Sequence, residues 1–165
     1  MDFARFLRHV VTGPRRVRRC FPESALRAIE AAIGEGERRH AGEIRFAVEA
    51  AIDPLAVLRG EPPRARALEV FDQLHVWDTA DRTGVLIYLL LADRDIEIVA
   101  DRGIAERVAQ PEWEAICRAM EVELRAGRYE VGAIVGIRAV SDLLARHFPP
   151  GDSNPDEQPN RAVVL

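Results

Sequence analysis

Lysine is absent from this chain: all 23 basic residues are arginine. A Schiff-base lysine and a lysine-bearing phosphate loop are therefore excluded. No stretch of about 18 consecutive apolar residues occurs, so no transmembrane helix is expected and transporter and channel functions drop out. Cysteine is scarce. Cys20 and Cys117 form neither a CxxC pair nor a regular framework, which reads as two reduced thiols rather than a disulfide scaffold. The GxGxxG, GxxxxGK[ST], GxSxG and HExxH signatures and the EF-hand loop are also missing, so the common nucleotide, hydrolase and metalloprotease classes find no foothold.

What is present fits one packed domain: 165 residues, 48% hydrophobic and 30% charged. The formal net charge of -4 is unevenly spread, because Met1 to Pro22 holds six arginines against Asp2 alone and the remainder is strongly acidic. An acidic body repels a polyanion, so nucleic acid is not an expected partner, whereas the basic leader suits an anionic surface. Phe3, Phe6, Leu7 and Val10 recur at helical spacing beside Arg5 and Arg8, and Gly13-Pro14 breaks the pattern. Residues 1–19 thus read as a basic amphipathic helix, either packed on its own domain or making a weak contact with a membrane surface or a partner. Without a small-residue cleavage site the leader does not read as a secretion signal, and the expected location is cytoplasmic, with membrane-peripheral as the variant.

Periodicity divides the chain into a leader (1–21), a domain (22–148) and an extended tail (149–165) ending in Val163-Val164-Leu165. Leu26, Ile29 and Ile33 predict a helix opened by Pro22. Ile44, Phe46 and Val48 alternate, predicting a strand with one buried face. Ala67, Leu68, Phe71, Leu74 and His75 predict one face of a helix over 64–76. The unbroken run Val85 to Leu91 predicts a central strand covered on both sides, and Ile96 to Val99 its hairpin partner across a polar turn. Two further helices follow, one opening at Pro111 with Trp113, Ile116, Cys117, Met120 and Leu124 buried, the other spanning about 130–146, where glycines would let the helix approach the sheet. The expected fold is α/β, a three-layer α/β/α sandwich with a small mixed sheet made of a parallel pair plus an antiparallel hairpin.

In that topology one rim collects the starts of two strands and the end of the third. Glu43, Asp78, Asp81 and Asp101 fall there, with Glu37 and His40 one turn earlier at i and i+3. Clustered carboxylates repel one another and invite a hard cation, so Glu37, Glu43, Asp78, Asp81 and Asp101 are the expected ligands for Mg²⁺ or Ca²⁺. Zinc is disfavoured by a set with one histidine and no cysteine. The same acids also read as ordinary solvated charges, and Arg82 and Arg102 as their counter-ions.

Several runs together resemble the TPM domain, named after a thylakoid lumen protein, a photosystem II repair protein and a nematode receptor modulator. They are Asp78-Thr79, Gly84-Val85-Leu86-Ile87-Tyr88, Asp93-Arg94, Ile96-Glu97-Ile98, Gly103-Ile104, and then Gly127, Tyr129 and Gly132. His40-x-Gly42-Glu43, Trp77-Asp78-Thr79 and Ala100-Asp101-Arg102-Gly103 are similar to a compact bacterial branch. The resemblance implies an α/β/α sandwich and divalent-cation binding; some plant members are associated with acid phosphatase activity and others with assembly or repair. The family's usual aspartate-asparagine pair before the Gly-Val-Leu strand matches Arg82 and Thr83 here, and its later aspartate falls near Gln110.

Three functional readings follow. In the first the chain is an accessory domain that binds a divalent ion or a protein partner at the rim. In the second it is a metal-dependent phosphatase in which Glu43, Asp78 and Asp101 hold the ion, His40 is ligand or general acid and Arg102 contacts phosphate. In the third it is a membrane-surface accessory factor acting through residues 1–19.

Overall fold

The computed structural model describes residues 2–151 and 156–165. Its elements run α1 (Phe3–Val11), α2 (Pro14–Cys20), α3 (Glu23–Glu37), β1 (Glu43–Glu49), α4 (Pro54–Leu58), α5 (Pro63–Gln73), β2 (Gly84–Leu90), β3 (Asp95–Ala100), α6 (Arg102–Ala105), α7 (Gln110–Arg125), α8 (Tyr129–His147) and β4 (Val163–Val164). The sheet order is β3-β2-β1-β4, with β1 parallel to β2 and to β4 and β3 antiparallel to β2. The expected parallel pair and hairpin are both present. The end of the tail adds a fourth strand, pairing Ala47 with Val163 and Val48 with Val164.

Two apolar layers sandwich the sheet. On one face Ile44, Phe46, Val48, Val85, Ile87 and Leu89 pack against α3, α7 and α8; on the other Ala47, Leu86, Tyr88 and Leu90 meet Val57, Ala67 and Val70 of α4 and α5. Every residue of β1 and β2 is buried. For β2 this is what its continuous apolar run predicts, at roughly 1.5 to 3 kcal/mol for each large side chain. For β1 the expectation of one buried face is corrected. Its second face is covered as well, so Glu43, Arg45 and Glu49 are enclosed and each needs a polar partner.

Three local expectations also change. Leu68 is exposed while Ala67 and Val70 face the sheet, and His75 lies beyond α5 in the left-handed region at φ 51°. The leader forms two short helices, because Pro14 starts a second one after Gly13. The glycines of α8 meet neighbouring helices rather than the sheet: a Cβ on Gly136 would lie 2.2 Å from Met120 Sδ of α7. Met120 and Trp113 are buried as expected, and Cys117 packs beside them with burial pushing its thiol up to about 11.

Candidate functional site

The starts of β1 and β2 and the end of β3 form one rim, with Glu43 opposite Gly84 and Val85 opposite Ala100. Close backbone packing shapes it. A Cβ on Gly84 would lie 1.9 Å from the carbonyl oxygen of Val76, and one on Gly103 would lie 2.6 Å from those of Asp81 and Arg82. The loop between α5 and β2 is thereby pressed against both β2 and α6.

Glu37 sits in the last turn of α3, and its Oε1 accepts the Ile44 N–H at 2.9 Å. Glu43 opens β1; its Oε1 accepts the Glu157 N–H at 3.3 Å and its Oε2 the Gln158 N–H at 3.2 Å. The tail is held in place by further bonds. Gln158 Nε2 donates to the carbonyls of His75 (3.1 Å) and Asp78 (3.2 Å), Glu157 accepts the Ala80 N–H, and Arg45 donates to the Pro159 carbonyl. This crossing brings Asp156 to the two buried glutamates, so that one oxygen from each of Glu37, Glu43 and Asp156 lies within 4.8 Å of the others. Asn160 joins the group through its hydrogen bond to Glu37 and its Nδ2, 3.5 Å from Asp156 Oδ2. Its Oδ1 is buried without a hydrogen-bond partner among the described residues.

Burial raises both glutamates, Glu37 to about 8 and Glu43 to about 7, and the backbone donors offset only part of that effect. The neighbouring negative charges push the same way: Glu43 and Asp156 on Glu37, Asp156 and Glu157 on Glu43. The cluster therefore holds protons near neutrality. These oxygens are the ones that would hold a hard cation such as Ca²⁺, which takes oxygen ligands at about 2.3 to 2.6 Å.

The other expected ligands lie apart from this cluster. Asp78 and Asp81 are exposed in the loop before β2, with the Asp78 carbonyl rather than its carboxylate engaged by Gln158. Asp101 caps α6, its Oδ1 accepting the Arg102 N–H at 2.6 Å, while its Oδ2 is buried with no hydrogen-bond partner among the described residues. The His40 ring is fully enclosed. Its Nδ1 accepts the Gly42 N–H at 3.2 Å, and burial lowers its pKa to about 4, keeping the imidazole neutral at physiological pH. Arg102 is exposed at the start of α6.

The family model described as the TPM domain matches residues 19–143, most of the chain. The chain belongs to the TPM-domain family. A solved structure, the NMR structure of the BA42 protein from the psychrophilic bacterium Bizionia argentinensis, is 30% identical, with a TM-score of 0.73 over 86% of this chain and 93% of that one. A search of curated proteins returns no match.

In this TPM domain the tail contributes residues that the sequence pattern alone does not bring to the rim. Asp156, Glu157, Gln158 and Asn160 follow a proline-rich stretch with no periodicity. The one available signal is their position just ahead of Ala162-Val163-Val164, a short β-prone segment whose pairing with β1 brings the polar run over the rim.

Proposed function

We propose that this TPM domain is an accessory binding domain that takes a divalent cation, Ca²⁺ before Mg²⁺, at Glu37, Glu43 and Asp156. The observation carrying this reading is the convergence of three carboxylate oxygens, from a helix end, a strand start and the tail, within 4.8 Å. Two supporting features are the buried Asn160 carbonyl oxygen beside them and the protons that Glu37 and Glu43 hold near neutral pH. A cation replaces those protons, so binding is coupled to proton release and tightens as pH rises. Because the tail both supplies Asp156 and hydrogen-bonds Glu43, the ion state of the rim is linked to how the tail lies over the starts of β1 and β2, the surface available to a protein partner.

The test is calorimetric titration of the full chain with Ca²⁺ and Mg²⁺ at pH 6.5 and 8. Saturable binding that strengthens at pH 8 and disappears in Glu37→Gln/Glu43→Gln is expected. No heat and no amide NMR shift at 10 mM ion and pH 8, a concentration of about that order being ample for even weak extracellular-type calcium sites, overturns it. The phosphatase reading is separated in the same samples: turnover of p-nitrophenyl phosphate that requires the ion and vanishes in Asp101→Ala assigns a hydrolase.

A further inference from the structure

The N-terminal helix α1 is docked by its polar side. Arg5 makes a bidentate contact with Asp93, Nε to Oδ1 at 3.1 Å and Nη2 to Oδ2 at 2.8 Å, and also reaches the Glu61 carbonyl at 2.8 Å. Arg8 donates to the Ala92 carbonyl. His9 is buried between Asp93 Oδ1 (3.0 Å) and the Ile52 N–H, which Nδ1 accepts at 3.2 Å. Since Nδ1 accepts, Nε2 carries the proton toward Asp93. Phe6 alone turns its ring into the core.

The opposite side of the same helix is apolar and open: Phe3 is 66% exposed, Leu7 49%, Val10 55% and Val11 74%. Their spacing of i, i+4, i+7 and i+8 makes one continuous stripe. Leu55 on the adjoining α4 is exposed too. An ordinary surface helix buries its apolar stripe, and here the domain instead uses Asp93 and three backbone groups to hold the stripe outward. Directly after it, α2 carries Arg15, Arg16, Arg18 and Arg19, all exposed and none paired with a carboxylate among the described residues. Arg15, Arg16 and Arg19 line a cleft with Tyr129 and Gly127 that, among the described residues, is lined by no acidic side chain.

We propose that α1 and α2 form a docking surface for an anionic lipid bilayer, the Phe3, Leu7, Val10 and Val11 stripe entering the acyl boundary while the four arginines meet headgroup phosphates. Charge decides between this occupant and a second copy of the chain. A two-fold dimer built on this surface adds four more arginines to it and no carboxylate from α1 or α2, whereas anionic headgroups neutralise the cluster. The stripe needs no refolding to be presented, because the polar side is already satisfied by the domain. A helix of nine residues enters only shallowly, so binding is reversible and salt-sensitive, with a screening length of about 8 Å at physiological ionic strength.

The experiment is flotation of the full chain with vesicles of phosphatidylcholine alone or with about 30% phosphatidylserine, in EDTA so that the result is independent of the rim cation. Retention on the anionic vesicles only, lost at high salt, is expected. Leu7→Glu/Val10→Glu and Arg15→Ala/Arg16→Ala each weaken retention at least about fivefold, the scale of one basic contact with an anionic leaflet. Thermal melts of both variants, whose substituted side chains are exposed, check that the fold is kept. Wild type that stays off the anionic vesicles overturns the proposal. So does unchanged retention in Leu7→Glu/Val10→Glu, or a wild-type dimer in sedimentation equilibrium that this variant dissociates, which assigns the stripe to a second copy.

Discussion

Where β1 and β2 finish, Glu49 is gripped by Arg66 at 3.0 and 3.1 Å and by the Tyr88 hydroxyl at 2.6 Å, and Asp93 is gripped by Arg5 and His9. Where the same strands start, Glu37 and Glu43 are equally enclosed but rest on backbone N–H groups and, for Glu37, on the Asn160 side chain as well. Arg45 feels the charge of Glu37 but donates to the Pro159 carbonyl. The chemical consequence is opposite. Burial pushes Asp93 up, yet Arg5 and His9 outweigh it and hold the carboxyl below its usual value, while Glu37 and Glu43 stand at about 8 and about 7. Asp95 is the exception at the paired end: it starts β3 without such a grip and burial raises it to about 6. A buried carboxylate with an arginine is a fixed structural charge. One without is a site whose charge depends on pH and on ions.

The sharpest way to break the contrast is the same substitution at each end. Glu49→Gln leaves Arg66 enclosed with only Glu69 beside it and is expected to cost about 3 kcal/mol, the scale for halving a buried pair. At roughly 2 to 4 °C per kcal/mol for a domain of this size, Tm falls by about 6 to 12 °C in a calorimetric scan. Glu37→Gln removes a charge that the fold disfavours, so at pH 8 stability is unchanged or higher. Similar losses for both variants would show that the two ends are not different in kind.

The second effect is smaller and concerns pH. Because the folded values of Glu37 and Glu43 lie above the ordinary value of 4.5, their contribution to stability is complete below that value and is lost as pH rises through about 7 and about 8. His40 works in the other direction: its lowered value of about 4 gives a contribution complete above about 6.5 and lost as pH falls through about 4. Between pH 6.5 and 8.5 the slope therefore belongs to the rim acids, and urea unfolding should show stability falling with pH over that window. The slope flattens in Glu37→Gln/Glu43→Gln, and saturating Ca²⁺ flattens it in the wild type too, because the ion displaces the protons that the folded state holds.

The legible and the illegible parts of the molecule divide along the same line. Val85 to Leu91 announces a strand covered on both faces, and the helix between it and the first strand dictates a parallel pair, so the sandwich and its rim follow from local pattern. Pairing partners distant in sequence leave no such trace. Arg66, Ala67 and Val70 share one side of α5, and the ion pair to Glu49 sets that helix's rotation, which is why Leu68 is exposed although apolar periodicity assigns it inward. The contact of Glu43 with Gln158 spans 115 residues, and a two-residue strand is too short to show any period. Of the expected rim acids, Glu37 and Glu43 meet because they flank one short connection from helix to strand, while Asp78, Asp81 and Asp101 are directed by the loops and cap in which they sit.

The smallest effect tests whether arginine pairing at the far end also serves to hold the leader. Asp93 receives Arg5 and His9, so Asp93→Asn should loosen α1 without disturbing the sheet, because the amide presents donors where the carboxylate presents only acceptors. Losing one charge-assisted contact, at about 1.5 kcal/mol, lowers hydrogen-exchange protection of the Arg5 to Val11 amides by roughly tenfold, while those of β2 stay within about twofold. The wild-type contact follows the sign of a lowered carboxyl: present above about pH 4 and lost as the pH falls through the Asp93 value, so α1 stays attached across the neutral and mildly acidic range. Equal loss of protection in α1 and β2 would mean that Asp93 supports the hairpin turn itself, and the leader would then be held by Phe6 and the backbone contacts of Arg5 and Arg8 instead.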